Sequence, residues 1–259
     1  MPFKDILLEY SDGIASITIN RPQRLNALGA TTTIELCQAC EEAINNQDIR
    51  VLIITGAGDA FCAGGDYKDT FEEGFTKSAQ QWRERIRNGP NRLVTLLMGS
   101  EKPVIAAING VAIGGGTTIA LASDIRITSD RAKFGLAFSK IGLTPEFGCT
   151  YLLPRVVGLG KAIELAFTAE IIDAHEALRI GLVNRVVPHA ELLSATRQLA
   201  MSLAEKPASS LGVMKSMFYR SMSMDLQSTL EMEAMALSAA FKTEEHQFAV
   251  NAFLQKRKK

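Results

Sequence analysis

The sequence predicts an α/β fold with much parallel strand pairing, followed by an all-helical C-terminal part. Short apolar segments rich in β-branched residues alternate with helical patterns as far as Pro154. Two of these segments are each followed by a turn and a glycine cluster that opens a helix, which forms a weak internal repeat. Beyond Pro154 the chain is mostly helical, and its composition shifts near residues 206–207. We therefore predict a core over residues 1–205 and a helical region over residues 206–259.

The composition narrows the functional classes. The 259 residues are 47% hydrophobic and 22% charged, which is ordinary for a globular protein with one large α/β domain. Lys plus Arg equals Asp plus Glu at 28 each, so no overall basic field favours nucleic acid as a partner. No apolar run is long enough to span a membrane. Asp5 and Glu9 interrupt the N-terminus where a signal peptide would be apolar, so we expect a cytoplasmic location.

Each element follows from a local pattern. Strands are predicted where apolar residues alternate or run together, at residues 6–10, 14–20, 51–55, 104–108, 125–128 and 182–187. A hairpin turn at residues 11–13 joins the first two. Helices are predicted from the 3.6-residue period, at residues 31–46, 82–98, 117–122, 159–167, 174–180, 192–204, 209–220, 226–240 and 244–256.

Cysteine and histidine usage points away from redox and metal chemistry. Cys37 and Cys40 form a CxxC inside an amphipathic helical pattern, where buried free cysteine is the expected reading. The histidines lack metal-ligand spacing, so no metal site is predicted; they are His175, His189 and His246. A serine triad has no GxSxG motif to support it.

The two glycine clusters predict an anion or oxyanion site. The first, Gly64 and Gly65, follows the strand at 51–55, and the second, at residues 114–116, follows the strand at 104–108. Backbone N–H groups at a helix N-terminus are unpaired and carry the positive end of the dipole. Glycine lets a ligand approach that backbone closely. A carboxylate, Glu146, stands about thirty residues further on.

The order and spacing of several motifs resemble the crotonase superfamily, the enoyl-CoA hydratase/isomerase group. These motifs span nearly the whole chain, at residues 20–22, 25–28, 61–66, 102–110, 114–116, 123–125, 134–135 and 253–257. The resemblance implies a spiral of ββα units with a C-terminal helical region that builds trimers, usually paired into hexamers. It also implies an acyl-CoA thioester as substrate and no separate cofactor, because coenzyme A is part of the substrate.

The resemblance also assigns roles to single residues. It implies that the backbone N–H groups of Gly65 and Gly115 hold the thioester oxygen as it becomes an enolate. The loop around Arg24 and the basic run at residues 256–259 are expected to contact the CoA nucleotide. The substrate-binding residues that it implies are Arg24, Asn26, Ala27, Ala63, Asp66, Tyr67, Phe138 and Leu143.

One departure from the family pattern favours isomerisation. Family hydratases carry two glutamates that hold and activate water, and the matching positions here are Thr118 and Phe138. A carboxylate stands instead at Glu146, as in the Δ3,Δ2-enoyl-CoA isomerases that this site resembles. Isomerisation needs one base, and an apolar pocket formed by Phe138, Phe147 and Leu143 would raise the pKa of that acid. We predict a 3-enoyl-CoA to 2-enoyl-CoA isomerase with Glu146 as its base.

Alternatives remain open from the sequence. Glu146 follows Pro145, where acidic residues are frequent in turns without any catalytic role. The other functions compatible with the sequence are a hydratase with a changed mechanism, a thioester hydrolase and a silent acyl-CoA-binding subunit. A stripe of methionines in the helical region indicates packing in a core or at subunit contacts; it comprises Met214, Met217, Met222, Met224, Met232 and Met235.

Overall fold

The computed structural model describes residues 3–66, 68 and 76–256. Its strands are β1 (Ile6–Ser11), β2 (Ile14–Ile19), β3 (Val51–Gly56), β4 (Ala60–Cys62), β5 (Val104–Ile108), β6 (Val111–Ile113), β7 (Ile125–Ser129), β8 (Lys133–Gly135), β9 (Ile171–Asp173) and β10 (Arg185–Val187). Within the described residues they form a six-stranded sheet in the order β1-β2-β3-β5-β7-β10 and a four-stranded sheet in the order β4-β6-β8-β9.

The same ββ unit recurs three times along the chain. The pairs β3/β4, β5/β6 and β7/β8 each give one strand to the large sheet and one to the small sheet. From β2 to β10 the large sheet is parallel, with β1 antiparallel at its edge. In the small sheet, β4, β6 and β8 are parallel and β9 is antiparallel. The α/β class and the predicted spiral of repeated units are confirmed.

The helices are α1 (Ala30–Asn45), α2 (Ala79–Ile86), α3 (Arg92–Gly99), α4 (Gly115–Ala122), α5 (Cys149–Val157), α6 (Leu159–Thr168), α7 (Ala174–Arg179), α8 (Leu192–Ala204), α9 (Ala208–Ser221), α10 (Leu226–Ala240) and α11 (Glu244–Lys256). The long helix predicted over residues 82–98 is divided. A π-helical turn, Arg87–Asn91, separates α2 from α3, because it contains Pro90 and proline has no N–H to donate.

Two further differences concern strands. The strand predicted over residues 182–187 is limited to Arg185–Val187, because the backbone of Val183 bonds to Ala177 in α7. The small sheet was not predicted, since its strands have only three residues each and show no period.

Both faces of the large sheet are covered, which explains its continuous apolar strands. In β3, Leu52 and Ile54 belong to the core cluster that includes α1, whereas Val51 and Ile53 pack with the cluster that includes α8. Cys37 and Cys40 of α1 are fully buried in the first cluster, so the core reading of the CxxC is confirmed.

The C-terminal helices are confirmed, and they differ in how they meet the core. The buried Nζ of Lys215 in α9 lies 2.8 Å from Asp124 and donates to the Leu97 carbonyl at 2.7 Å. Tyr219 donates to the same aspartate at 2.8 Å. By contrast, α10 buries no residue within this chain, and Met235 on it is 66% exposed. The division at residue 205 and the subunit contacts stay predictions. None of the described helices has the length and apolar character that crossing a bilayer requires.

Candidate active site

The first glycine loop is held so that one backbone donor points outward. Leu28 and Gly65 form a parallel bridge, in which Leu28 N–H donates to Gly64 at 2.7 Å and Asp66 N–H donates to Leu28 at 3.0 Å. Successive backbone groups along an extended segment point to opposite sides, so the N–H of Gly65 faces away from Leu28. Among the described residues it has no acceptor, and Gly65 is exposed.

The second glycine loop ends at a helix N-terminus. Gly114 is the N-cap of α4 with φ +53°, a backbone conformation that favours glycine, and Gly115 is the first helical residue. The N–H of Gly115 therefore has no acceptor in its own helix. A Cβ on Gly64 would lie 2.8 Å from the Ile113 carbonyl oxygen and 3.8 Å from the Gly115 nitrogen. The two glycine loops are thus in contact through Gly64, the residue before Gly65.

A tight turn directly after Glu146 packs on the second glycine loop. Phe147 has φ +53° and Gly148 has φ +71°, so two consecutive residues adopt the left-handed region just before α5. This conformation is rare for a bulky residue and is often found at functional sites. A Cβ on Gly115 would lie only 2.9 Å from Cε2 of Phe147. The residue that follows Glu146 therefore packs directly on the predicted oxyanion donor.

The surroundings of Glu146 suit an acid that exchanges a proton. Its side chain is half-buried, and this burial raises the pKa of the carboxyl group, while the guanidinium of Arg85 opposes the rise. Arg85 lies in α2 with its guanidinium carbon 5.1 Å from the ring centroid of Trp82. A raised pKa makes the carboxylate a stronger base, and a pKa nearer the operating pH suits a group that must both accept and return a proton.

The two positions where the resemblance expects hydratase glutamates carry no carboxylate. Thr118 is fully buried in α4, and its hydroxyl donates to the Gly114 carbonyl at 2.8 Å. Phe138 is 7% exposed, and a Cβ on Gly114 would lie 3.7 Å from its ring. Thr118 therefore carries a hydroxyl that already donates a hydrogen bond within the protein, and Phe138 carries an apolar ring.

The loop predicted to meet the CoA nucleotide packs against the first glycine loop. Ala63 N–H donates to Leu25 at 3.0 Å. The Asn26 side chain is fully buried and donates to the Ala57 and Ala60 carbonyls at 2.9 and 2.7 Å. Its amide therefore shapes the loop rather than facing a ligand, whereas the Arg24 side chain is exposed at the surface of this loop.

The remaining predicted residues fall into three situations. The Asp66 side chain is 1% exposed and pairs with Arg21 at 2.8 Å, so its carboxylate points into the protein. Leu143 is half-exposed and, with Phe138, lines an apolar cavity of about 380 Å³. Tyr67 lies outside the described residues, as do residues 257–259 of the basic run.

Two residues of the site were not predicted. Arg21 stands in the motif at residues 20–22, but nothing in that motif indicates a partner nearly fifty residues away. Arg85 shares its helix with Arg83, and no sequence pattern distinguishes which of the two lies near Glu146.

Comparison with known proteins agrees with this architecture. A family model described as enoyl-CoA hydratase/isomerase matches residues 9–259. The chain is 39% identical to a short-chain-enoyl-CoA hydratase of Clostridium acetobutylicum, over the whole chain and 97% of that relative. It is 37% identical to a 1,2-epoxyphenylacetyl-CoA isomerase of Escherichia coli, over 97% of this chain and 96% of the other. A solved enoyl-CoA hydratase structure from Bacillus anthracis superposes with a TM-score of 0.91 at 32% identity, covering 98% of this chain and 97% of that one.

Fold and sequence therefore define one class, an enzyme built on the crotonase-type spiral. The chain belongs to the enoyl-CoA hydratase/isomerase family. Some of its relatives are named hydratases and one is named an isomerase. Family membership therefore does not decide the reaction, which depends on the site.

Proposed function

We propose that this protein is an isomerase that converts a 3-enoyl-CoA into a 2-enoyl-CoA with Glu146 as its only base. One observation carries the proposal. An acid with a raised pKa stands at Glu146 beside the second glycine loop, while the two positions that hold water in hydratases are occupied by Thr118 and Phe138. Moving a double bond requires a proton acceptor and an oxyanion site, and it requires no bound water.

The proposed mechanism uses two backbone donors and one carboxylate. The N–H groups of Gly65 and Gly115 donate to the thioester oxygen. Glu146 takes a proton from C2, and the electron pair of that C–H bond becomes a dienolate whose negative charge rests on the thioester oxygen. The dienolate then takes the same proton back at C4, so the C3–C4 double bond becomes a C2–C3 double bond. The carboxylate ends the cycle as it began.

Hydration is the second candidate, because relatives at 39% identity are named short-chain-enoyl-CoA hydratase and crotonyl-CoA hydratase. Adding water needs a group that orients the water and a group that supplies the second proton. The Thr118 hydroxyl is committed to Gly114, and Phe138 offers no polar atom. The site geometry therefore supports isomerisation over hydration.

The proposal extends to the substrate and the assembly. We propose that coenzyme A is bound near the exposed Arg24 as part of the substrate, with no resident cofactor. We place an apolar acyl group near Phe138, because the ring of Phe138 lies beside Gly114 and also lines the apolar cavity. The exposed apolar side chains of α10 support association of this helical region in a trimer or hexamer.

Product analysis tests the reaction. A 3-enoyl-CoA and the matching 2-enoyl-CoA are each incubated with the protein in heavy-oxygen water, and the thioesters are followed by mass and by chromatography. We expect interconversion of the two enoyl-CoA isomers with little gain of heavy oxygen. Rapid formation of labelled 3-hydroxyacyl-CoA would show a hydratase, and release of free coenzyme A would show a hydrolase.

A further inference from the structure

Arg21 lies at the centre of a buried charge cluster beside the first glycine loop. Its Nη2 is 2.8 Å from Asp66 Oδ2, and its Nη1 donates to the Ala27 carbonyl at 2.5 Å. Its Nε is 3.5 Å from Asp5 Oδ2, which also accepts a hydrogen bond from Thr32 at 2.6 Å. One guanidinium therefore joins the start of the chain, the CoA-facing loop and the residue after Gly65.

The two main contacts of Arg21 reach different parts of the proposed site. Asp66 directly follows Gly65, the proposed oxyanion donor, and its carboxylate is 1% exposed. Ala27 lies in the loop proposed to meet the CoA nucleotide. The guanidinium is a planar fork with fixed donor directions, so contacts through two of its nitrogens fix the relative position of the two segments.

Among the described residues, few backbone bonds fix this register. Leu28 bridges Gly65 through two hydrogen bonds and Ala63 N–H donates to Leu25, but the bridge is not part of a strand. A single bridge restrains the peptide of Gly65 less than a continuous strand pairing would, so its tilt depends on a further restraint at Asp66. The buried ion pair at Asp66 supplies that restraint.

We propose that Arg21 is a positioning residue, which holds the Gly65 N–H and the CoA-binding loop in one register through Asp66 and Ala27. This inference rests on the oxyanion part of the proposed function and is independent of which residue is the base. The competing explanation is that the cluster stabilises the fold without affecting the thioester.

Two variants separate the contacts. Asp66→Asn keeps the shape and the oxygen that accepts from Lys68 N–H at 3.1 Å, but it removes the charge that Arg21 holds. Arg21→Lys keeps the positive charge but loses the fork, so one ammonium cannot reach both Asp66 and Ala27. The matched control, Arg92→Gln, breaks the bidentate ion pair of Arg92 with Glu41 on the surface.

The kinetic test is a split between kcat and KM. Losing a whole oxyanion donor costs about 10²–10³ in kcat, so a tilted donor in Asp66→Asn should cost about tenfold, with KM little changed. Arg21→Lys should lower kcat in the same way and should also raise KM for the acyl-CoA severalfold. Because both substitutions disturb the same contact between Arg21 and Asp66, the fold loss of kcat in the double variant should be smaller than the product of the two single losses. Arg92→Gln should leave both constants unchanged.

A spectroscopic test does not depend on which reaction the enzyme catalyses. Polarisation of a bound thioester shifts the absorption of a conjugated 2,4-dienoyl-CoA to longer wavelength. At saturating protein, we expect this shift to be smaller in Asp66→Asn than in the wild type and in Arg92→Gln. Lower melting temperatures with wild-type kcat, KM and absorption shift would assign the cluster to stability alone and overturn the proposal. If Arg21→Lys does not fold, Asp66→Asn decides. A wild type that only hydrates would refute the isomerase proposal while leaving this test intact.

Discussion

Two neighbourhoods of the second glycine loop have opposite chemical character. Around Gly114 lie Thr118, whose hydroxyl is already bonded, and the apolar ring of Phe138. Around Gly115 lies Phe147, which brings the partly buried acid Glu146 with it. In the proposed function, the first neighbourhood has no acid that could activate water, whereas the second supplies the base. We infer that this scaffold changes its reaction when the acid moves around a fixed glycine loop.

The largest expected effect comes from removing the acid. Glu146→Gln keeps the size of the side chain but cannot accept a proton, and general acid–base catalysis contributes roughly 10²–10⁴-fold. We expect kcat to fall by that factor with KM little changed. Glu170→Gln, which alters an exposed glutamate, is the matched control. Steady-state kinetics on a 3-enoyl-CoA would refute Glu146 as the base if the variant turned over at nearly the wild-type rate.

A smaller loss of kcat is expected when the contact between Gly115 and Phe147, the residue after the acid, is disturbed. In Gly115→Ala the new Cβ would lie 2.9 Å from the Phe147 ring and 3.1 Å from Leu28, so the ring must shift and displace Glu146. A displacement of about 1 Å can cost about 10²-fold, so we expect kcat to fall about tenfold to a hundredfold.

The control for this variant is Gly65→Ala. A Cβ on Gly65 would meet no atom within 4 Å, and the backbone N–H is kept in both variants. We expect Gly65→Ala to stay within a fewfold of wild-type kcat. Equal losses in the two variants, measured beside their melting temperatures, would show that the Phe147 contact does not place the acid.

The pH dependence of kcat/KM sharpens the assignment of the base. Glu146 must be deprotonated to accept a proton, so activity should fall as the pH drops through its raised pKa. The Arg85 cation lowers this pKa, so Arg85→Gln should move the acid limb to higher pH and cost severalfold activity on that limb alone. Arg85→Lys should restore the profile, and Arg83→Gln, on the same helix, should leave it unchanged. An acid limb that stays in place in Arg85→Gln would exclude this electrostatic role.

Much of the fold and of the candidate site could be predicted from the sequence. Apolar strands such as β3 and the glycine clusters after them carry strong local signals, and the family pattern showed that Thr118 and Phe138 replace acids. The small sheet was missed because three-residue strands have no period. The left-handed backbone of Phe147 and the pair of Arg21 with Asp66 were missed because both depend on tertiary packing.

The smallest expected effect tests the neighbourhood of Gly114. Thr118→Val keeps the shape of the side chain and removes only the hydroxyl that donates to Gly114. The Gly114 carbonyl still accepts from the Thr118 backbone N–H at 3.1 Å, so no buried acceptor is stranded. We expect a stability loss of about 1 kcal/mol or less and a change in kcat below about twofold.

Thr95→Val in α3 is the matched control, because its hydroxyl makes the same type of bond, to Asn91 at 2.9 Å. The two variants should behave alike in turnover, because neither hydroxyl takes part in proton transfer to C2 or C4. A large fall in turnover in Thr118→Val alone would mean that this hydroxyl orients a reacting water. The neighbourhood of Gly114 would then be the reactive one. The argument from the missing acids would fail, and hydration would be the favoured reaction.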